Sequence, residues 1–311
     1  MTITPAMIKE LREQTGAGFG DVKNALTEAQ GNMEQAVVIL RKKGLAAAGK
    51  KAGRVTAEGT IAARVDGDTN SGVKGVLVEV NCETDFVGRN EVFQKFAADV
   101  AGVIAQSKAS TVDELLAENW PGTSEPVSQK VAEQIASIKE NISVRRFARF
   151  EAPANAKIGT YIHGGGKIGV MVEVVAENCT GGTHVNDVAK DIAMHIAAAE
   201  PRFLRREDVT QKDLDTEREI ARDAAAKSGK PENIVEKMVS GKMEKFYAEN
   251  CCLEQAYIRD DKMTVAQYLA SRGKETGCAF SVTRFSRYKL GEGIEKRSED
   301  FAAEVASYIK Q

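Results

Sequence analysis

The sequence has few of the residues and patterns that mark metalloproteins, redox enzymes and membrane proteins. Its 311 residues include three histidines and five cysteines, and no two cysteines have the C-x-x-C spacing of metal or redox sites. No apolar run approaches the roughly 20 residues that a membrane-spanning helix needs, and the first residues lack the basic and apolar regions of a signal peptide. An odd number of cysteines favours a reducing compartment, so we expect a cytoplasmic protein.

An excess of charge of either sign is also missing. Lys and Arg number 43, Asp and Glu number 45, and the formal net charge is −2. A near-neutral chain has no global attraction to nucleic acid or to an anionic membrane, and we predict direct binding to neither. The composition, 42% hydrophobic and 28% charged, is ordinary for a globular protein, and the length predicts about two or three domains.

No convincing catalytic constellation is present in the sequence. His163-Gly164-Gly165-Gly166 resembles the oxyanion strand of lipases and esterases, but no G-x-S-x-G nucleophile elbow accompanies it. A hairpin turn explains these glycines better. Cys82 has no histidine near it in sequence and is better explained as a small buried residue. We predict that the protein is not an enzyme and uses no cofactor; the esterase alternative predicts that changing His163 abolishes hydrolysis.

The apolar patterns predict an α+β fold that begins and ends with helical units. Residues 1–54 are predicted to form a three-helix, ubiquitin-associated-like domain and a basic, flexible linker. A charged helical hairpin is predicted at residues 201–246, and its narrow apolar stripe favours a projecting partner or self-association surface, with a solvated decoration as the alternative. Residues 293–311 are predicted to be a C-terminal helical module whose amphipathic helix spans residues 298–309.

An internal repeat predicts two related subdomains between these helical units. The strand pair at residues 58–61 and 75–80 matches the pair at residues 158–161 and 169–174, and each pair leads into a similar helix. Matching β-β-α units predict two small antiparallel sheets covered by helices. We place the first core subdomain at residues 55–147 and the second at residues 148–200 and 247–292.

The two repeats differ directly after their second strand. The first continues with Asn-Cys-Glu-Thr-Asp-Phe-Val at residues 81–87, whereas the second has a polar loop at residues 175–182 without an acid–aromatic pair. Because the shared scaffold can do without Asp85 and Phe86, these residues are candidates for function rather than folding.

A later strand, predicted at residues 143–150, carries two adjacent arginines. Its alternation directs Arg146 away from the face of Phe147. We therefore expect the arginines to lie on a solvated face.

Four motifs resemble signatures of the elongation factor Ts family. The resemblance extends over essentially the whole chain, and two of the motifs are long, in the expected order and highly specific. The motifs are Leu11-Arg12-x-x-Thr15-Gly16-Ala17-Gly18-x-x-Asp21-x-Lys23-x-Ala25-Leu26, Glu79-Val80-Asn81-Cys82-Glu83-Thr84-Asp85-Phe86-Val87, Ile192-Ala193-Met194-His195 with Glu200-Pro201, and Gly291-Glu292-Gly293-Ile294-Glu295-Lys296.

The resemblance implies nucleotide exchange on elongation factor Tu, a translational GTPase, in its GDP-bound and nucleotide-free forms. It implies that Thr84, Asp85, Phe86 and Val87 insert near the Mg²⁺ site of that GTPase and dislodge the metal. A GTPase holds GDP through a phosphate-binding loop and a Mg²⁺ ion that tolerates little departure from octahedral geometry. A small displacement there would weaken the metal and then the nucleotide.

The resemblance also implies contacts outside this loop. The N-terminal unit would contact the GTPase domain through Arg12, Thr15, Phe19 and Lys23. The second subdomain would grip another domain of the partner, and the terminal helix would pack on the GTPase domain. The hairpin corresponds to the dimerisation region of the family, which allows a homodimer.

A function of a different class stays open. The three-helix unit could serve a polypeptide-binding adaptor that does not exchange nucleotide. This hypothesis predicts that residues 1–45 bind a partner alone and that Asp85 and Phe86 are dispensable.

Overall fold

The computed structural model describes residues 3–68, 72–178, 184–227 and 229–295. The predicted C-terminal helix at residues 298–309 lies outside these ranges. The helices within them are α1 (Pro5–Thr15), α2 (Phe19–Glu28), α3 (Met33–Lys51), α4 (Asp85–Gly88), α5 (Glu91–Gln106), α6 (Val112–Ala117), α7 (Val127–Ile138), α8 (His184–Ala199), α9 (Gln211–Ala226), α10 (Glu232–Asn250) and α11 (Val265–Thr276). The strands are β1 (Glu58–Asp68), β2 (Gly72–Cys82), β3 (Ile142–Ala152), β4 (Ala156–His163), β5 (Ile168–Glu177), β6 (Ala256–Tyr257), β7 (Asp260–Thr264) and β8 (Ala279–Lys289).

The first three helices enclose a hydrophobic core of their own, which confirms the predicted three-helix unit. Leu11, Val22 and Leu26 are fully buried in it. The hydroxyl oxygen of Thr4 caps α1 by accepting a hydrogen bond from the Met7 N–H at 3.3 Å. The core is small, so the unit also relies on contacts that α3 makes with the rest of the chain.

Helix α3 is longer than the sequence analysis predicts. It continues to Lys51, so most of the linker expected after residue 45 is helical. Alanine and lysine, which dominate this stretch, are strong helix formers. Gly44 is buried and faces α7, where an added Cβ would lie 3.6 Å from the Ala132 carbonyl oxygen. Ala48, within the extension, packs against the first core, so helix propensity and tertiary contacts both favour a helix where a flexible connection was expected.

Each repeat contributes a three-stranded antiparallel sheet, with strand orders β1-β2-β3 and β4-β5-β8. In both sheets the register between the central and third strands shifts at the same place in the repeat, after Glu79 in one and after Glu173 in the other. The hairpin α9–α10 is inserted between α8 and β6. The predicted α+β fold is confirmed. The predicted boundary between the two core subdomains, after residue 147, falls within strand β3. The subdomain boundaries stay predictions.

The two sheets pack face to face, and each has a helix on its other side. Val76, Val78 and Val80 of β2 face α5, whereas Leu77 lies in a second core with Met171 of β5. Strand β5 repeats this alternation, with its valines packed against α8. The central strands are thus buried on both faces, which explains their nearly unbroken apolar runs.

Gly75 allows the two sheets to approach closely. An added Cβ would lie 2.6 Å from Ile158 Cγ2 and 2.7 Å from Met171 Sδ. We expect Gly75→Ala to lower the free energy of unfolding by about 1–3 kcal/mol through overpacking. Gly241→Ala is the control, because its Cβ would enter open space on α10, and it should raise stability by up to about 1 kcal/mol. Urea unfolding measures both, and equal midpoints would contradict the packing argument.

Glu79 of β2 faces the second sheet and is fully buried. Its Oε1 accepts hydrogen bonds from Arg145 Nη1 at 2.9 Å and from the Gly291 N–H at 2.8 Å, and its Oε2 accepts one from Arg146 Nε at 2.6 Å. The expectation that these arginines lie on a solvated face was wrong, because a buried carboxylate requires nearby cations and N–H donors. The Gly291 bond links the first sheet to the turn after β8.

Three of the described cysteines, Cys82, Cys251 and Cys252, are free and buried. Cys278 is disulfide-bonded, which differs from the expectation of reduced thiols. No helix in the described ranges combines the length and apolar character that crossing a bilayer requires.

Candidate functional site

The candidate site is the acid–aromatic loop, residues 83–90, which follows the central strand of the first sheet. Its middle is the single helical turn α4, capped by Thr84, whose hydroxyl oxygen accepts a hydrogen bond from the Val87 N–H at 3.4 Å. Asn90 caps the start of α5, where its Oδ1 accepts from the Val92 N–H at 2.8 Å. Side-chain caps at both ends therefore define the path of the loop.

Phe86 projects from this turn into solvent. Its exposed fraction is 83%, the highest among the large apolar side chains that the structure describes. Val87 turns the other way and packs against the first core. Asp85 forms an ion pair with Arg89 at 2.9 Å, and both side chains are exposed, so the pair contributes little and is easily broken. The loop thus presents an aromatic ring and an available carboxylate side by side.

Glu140 anchors the loop from the short segment between α7 and β3. Its Oε2 accepts hydrogen bonds from the Glu83 and Thr84 N–H groups, each at 3.0 Å, and its Oε1 accepts one from the Thr84 hydroxyl at 2.6 Å. Glu140 was not among the predicted site residues, because no sequence motif marks it. The antiparallel pairing of Cys82 with Ile142 places the residues after β2 beside those before β3, and strand prediction alone does not specify this pairing.

Glu83 forms a second link between the loop and the same segment. Its Oε1 accepts a hydrogen bond from the Asn141 N–H at 2.5 Å, and its carboxylate pairs with Arg54 at 3.3 Å. The Asn141 side chain donates to the Arg54 carbonyl oxygen at 3.0 Å. These bonds tie the loop to the chain that leads from α3 into β1.

Gly88 holds the far end of α4 close to β1. An added Cβ would lie 2.7 Å from the Gly59 carbonyl oxygen. A side chain at this position would therefore push the turn away from the sheet. The close approach keeps the loop against a rigid platform.

The predicted contact residues of the N-terminal unit are only partly grouped. Arg12 and Phe19 line one surface cavity of about 460 Å³ between α1 and α2, and Phe19 is 56% exposed. Thr15 instead lines the neighbouring cavity against α7, and its hydroxyl donates to the Leu11 carbonyl oxygen at 2.6 Å. Lys23 is exposed on α2 and lines neither cavity.

The C-terminal end of α7 connects this unit to the acid–aromatic loop. Lys139 forms an ion pair with Asp21 at 2.9 Å, and the Ser137 hydroxyl donates to the Gly16 carbonyl oxygen at 2.8 Å. Glu140, the next residue, holds the loop. One short segment therefore contacts both surfaces that the sequence analysis singles out.

The chemistry of the nearby thiol and histidines favours structural roles. Burial raises the pKa of the Cys82 thiol to about 12, so it is no nucleophile at neutral pH. His163 is the last residue of β4, directly before the predicted β4–β5 hairpin turn, and its Nδ1 forms a hydrogen bond with the Tyr161 hydroxyl at 3.2 Å. His195 is buried, and its ring nitrogens bond to Gln255 and to the Ile258 N–H. In the described part of the chain, no group of His, Cys, Asp and Glu side chains could hold a metal ion.

Comparison with known proteins agrees with the family that the motifs resemble. The family model described as "Elongation factor TS" matches residues 83–292. Elongation factor Ts of Trichlorobacter lovleyi is 50% identical over 99% of this chain and 98% of its own length. That of Syntrophotalea carbinolica is 49% identical over the full length of both chains, and that of Clostridium perfringens is 50% identical over 98% of both. The chain therefore belongs to the elongation factor Ts family.

Proposed function

We propose that this protein is a guanine-nucleotide exchange factor for elongation factor Tu. The observation that carries the proposal is the exposure of Phe86, which is 83% exposed. Phe86 lies on a turn that is held against the sheet by its side-chain caps, by Glu140 and by the close approach of Gly88. An aromatic ring held in one place can fill an apolar slot on a partner at little entropic cost. Family membership supplies the partner, because the relatives are elongation factors Ts.

The loop would act on the Mg²⁺ site of the GTPase. Phe86 would enter an apolar slot beside the metal, and Asp85 would leave Arg89 and engage backbone or side-chain donors near the site. Thr84 and Val87 would fix the loop through the cap and the core contact described above. Mg²⁺ requires nearly ideal octahedral geometry, so moving its surroundings by about an ångström would weaken the metal and then GDP.

This mechanism requires no catalytic group in the exchange factor. By thermodynamic reciprocity, the factor binds the nucleotide-free GTPase more tightly than the GDP form by the same ratio that it weakens GDP. Binding energy at the loop is therefore converted into nucleotide release.

The remaining contacts follow from the same proposal. Arg12, Thr15, Phe19 and Lys23 would contact the GTPase domain, and the second subdomain would grip another domain of the partner. The hairpin α9–α10, which exposes Ile220, would allow a homodimer. The protein would work in the cytoplasm, with no direct contact to nucleic acid or membrane.

Release of the fluorescent analogue mant-GDP from elongation factor Tu tests the proposal. We expect the wild-type protein to accelerate release by on the order of a hundredfold, and Asp85→Ala to reduce this acceleration. Glu151→Ala, which removes an exposed carboxylate from β3, is the matched control and should act like wild type. Unchanged release with the wild-type protein would refute nucleotide exchange.

The adaptor hypothesis makes the opposite prediction for the loop. It requires that the N-terminal unit binds alone and that Phe86 is dispensable. The truncation at residue 45 would cut α3, which continues to Lys51 and packs on α7. A fragment of residues 1–54 keeps α3 whole and is therefore the better test, provided that circular dichroism shows it to be helical without α7. Binding of elongation factor Tu by the folded fragment as tightly as by the whole chain would favour the adaptor.

A further inference from the structure

We propose that Glu140 is a positioning residue for nucleotide exchange, an inference that rests on the proposed function. Glu140 is half-buried below the acid–aromatic loop. Its carboxylate accepts three hydrogen bonds, two of them from successive backbone N–H groups. Hydrogen bonds to an ionised acceptor are about twice as strong as neutral ones. This single side chain therefore holds the loop at the point where it leaves β2.

The Thr84 hydroxyl connects Glu140 to the turn that carries Phe86. It donates its proton to Glu140 Oε1 at 2.6 Å, while its oxygen accepts from the Val87 N–H at 3.4 Å. A hydroxyl has one proton and two lone pairs. Because the Thr84 O–H points to Glu140, the lone pairs of the hydroxyl oxygen are free to accept the hydrogen bond that caps α4.

The turn itself has little stability of its own. Four residues are far too few for an isolated helix, since forming the first turn is unfavourable. The Asp85–Arg89 pair is exposed and contributes little. Without Glu140 the turn would sample other conformations, and the fraction of molecules that present Phe86 correctly would fall. Exchange would fall with that fraction.

The neighbours of Glu140 explain why the anchor is placed in this segment. Lys139 pairs with Asp21 of the N-terminal unit, and the Asn141 N–H donates to Glu83 of the loop. Residues 139–141 therefore contact both the N-terminal unit and the acid–aromatic loop, and they fix the position of one relative to the other. Glu140 touches neither the ring of Phe86 nor the partner in this scheme, and it acts through Thr84.

The test measures mant-GDP release at saturating exchange factor. We expect Glu140→Ala to slow release by about tenfold. Glu140→Gln should stay within about threefold of wild type, because its carbonyl oxygen can accept the two N–H bonds and its amide group can donate to Thr84. Glu114→Ala is the control, since that carboxylate accepts a bond from the Ser110 N–H in a different loop and should act like wild type.

A double variant separates positioning from general destabilisation. In a Phe86→Ala background, Glu140→Ala should slow release by less than about twofold, because its effect passes through the same loop. Thr84→Val, which removes the hydroxyl and keeps the shape, should reproduce part of the loss even if Glu140→Ala folds poorly. Far-UV circular dichroism and thermal melting report folding.

Two results would overturn the role of Glu140. One is wild-type release with folded Glu140→Ala or, where that variant fails to fold, with Thr84→Val. The other is an equal loss with and without Phe86, which would mean that Glu140 acts elsewhere. In either case wild-type acceleration in the same assay would leave the exchange function itself standing.

Discussion

Phe86→Ala is expected to remove most of the acceleration of GDP release while leaving the protein folded. A buried aromatic at the centre of an interface commonly contributes about 2 kcal/mol or more, which corresponds to roughly a thirtyfold effect. In the free protein the ring is 83% exposed, so its removal should change the free energy of unfolding by no more than about 0.5 kcal/mol. Stopped-flow release of mant-GDP and urea unfolding measure the two quantities separately.

The control for this experiment is Val65→Ala on the same sheet. Val65 is 42% exposed and pairs with Gly75, whereas the loop follows the Glu58–Cys82 pair at the other end of the strands. Seven residues of strand separate the two places by about 23 Å. Val65→Ala should therefore exchange like wild type. Wild-type exchange by Phe86→Ala would contradict the role given to the loop.

Glu79→Ala is expected to lower the free energy of unfolding by about 3–5 kcal/mol, the usual cost of breaking a buried ion pair by removing one partner. The substitution removes the buried carboxylate that accepts from Arg145, Arg146 and the Gly291 N–H, and Arg146 keeps a half-exposed pair with Glu292 at 3.1 Å. Glu151→Ala is the matched control, since this carboxylate is 66% exposed and pairs with Lys74 at 3.6 Å, and it should cost close to nothing. Equal urea midpoints would show that the cluster contributes no net stability.

The same cluster predicts a pH dependence. Burial opposes ionisation, but the Gly291 N–H and the two arginines outweigh it and hold the pKa of Glu79 below its ordinary value. A depressed folded-state pKa adds stability that is present above the unfolded pKa of about 4.3. That stability is lost as the pH falls through the folded value. Glu79→Gln should therefore lose less stability than wild type between pH 5 and about pH 3, and parallel curves would contradict the assignment.

The similarity of the two sheets extends to their buried carboxylates. Glu173 occupies in β5 the place that Glu79 has in β2, and its Oε2 pairs with Arg284 at 2.7 Å. Both glutamates precede the register shift in their sheets. The glycines and valines of the repeat were visible in the sequence, but the ion pairs that Glu79 and Glu173 form with arginines were not.

Sequence patterns alone were enough to predict most helices and strands, the fold class and the candidate loop. Apolar periodicity predicted the helices and the buried strands, because it reports directly which faces leave water. The comparison of the two repeats isolated Asp85 and Phe86, because a residue that one copy lacks is not needed by the scaffold. The structure places Phe86 outside the core, as that argument requires.

The residues that support the loop and the carboxylate buried between the sheets became known only from the packing of distant segments. Glu140 lies 56 positions from Thr84 in the chain, and antiparallel register alone brings them together. The face-to-face packing of the sheets turned Arg145 and Arg146 from expected surface residues into partners of Glu79. Helix α3 extends to Lys51 and packs against α7. Each of these features depends on contacts between distant segments, and local periodicity contains no information about them.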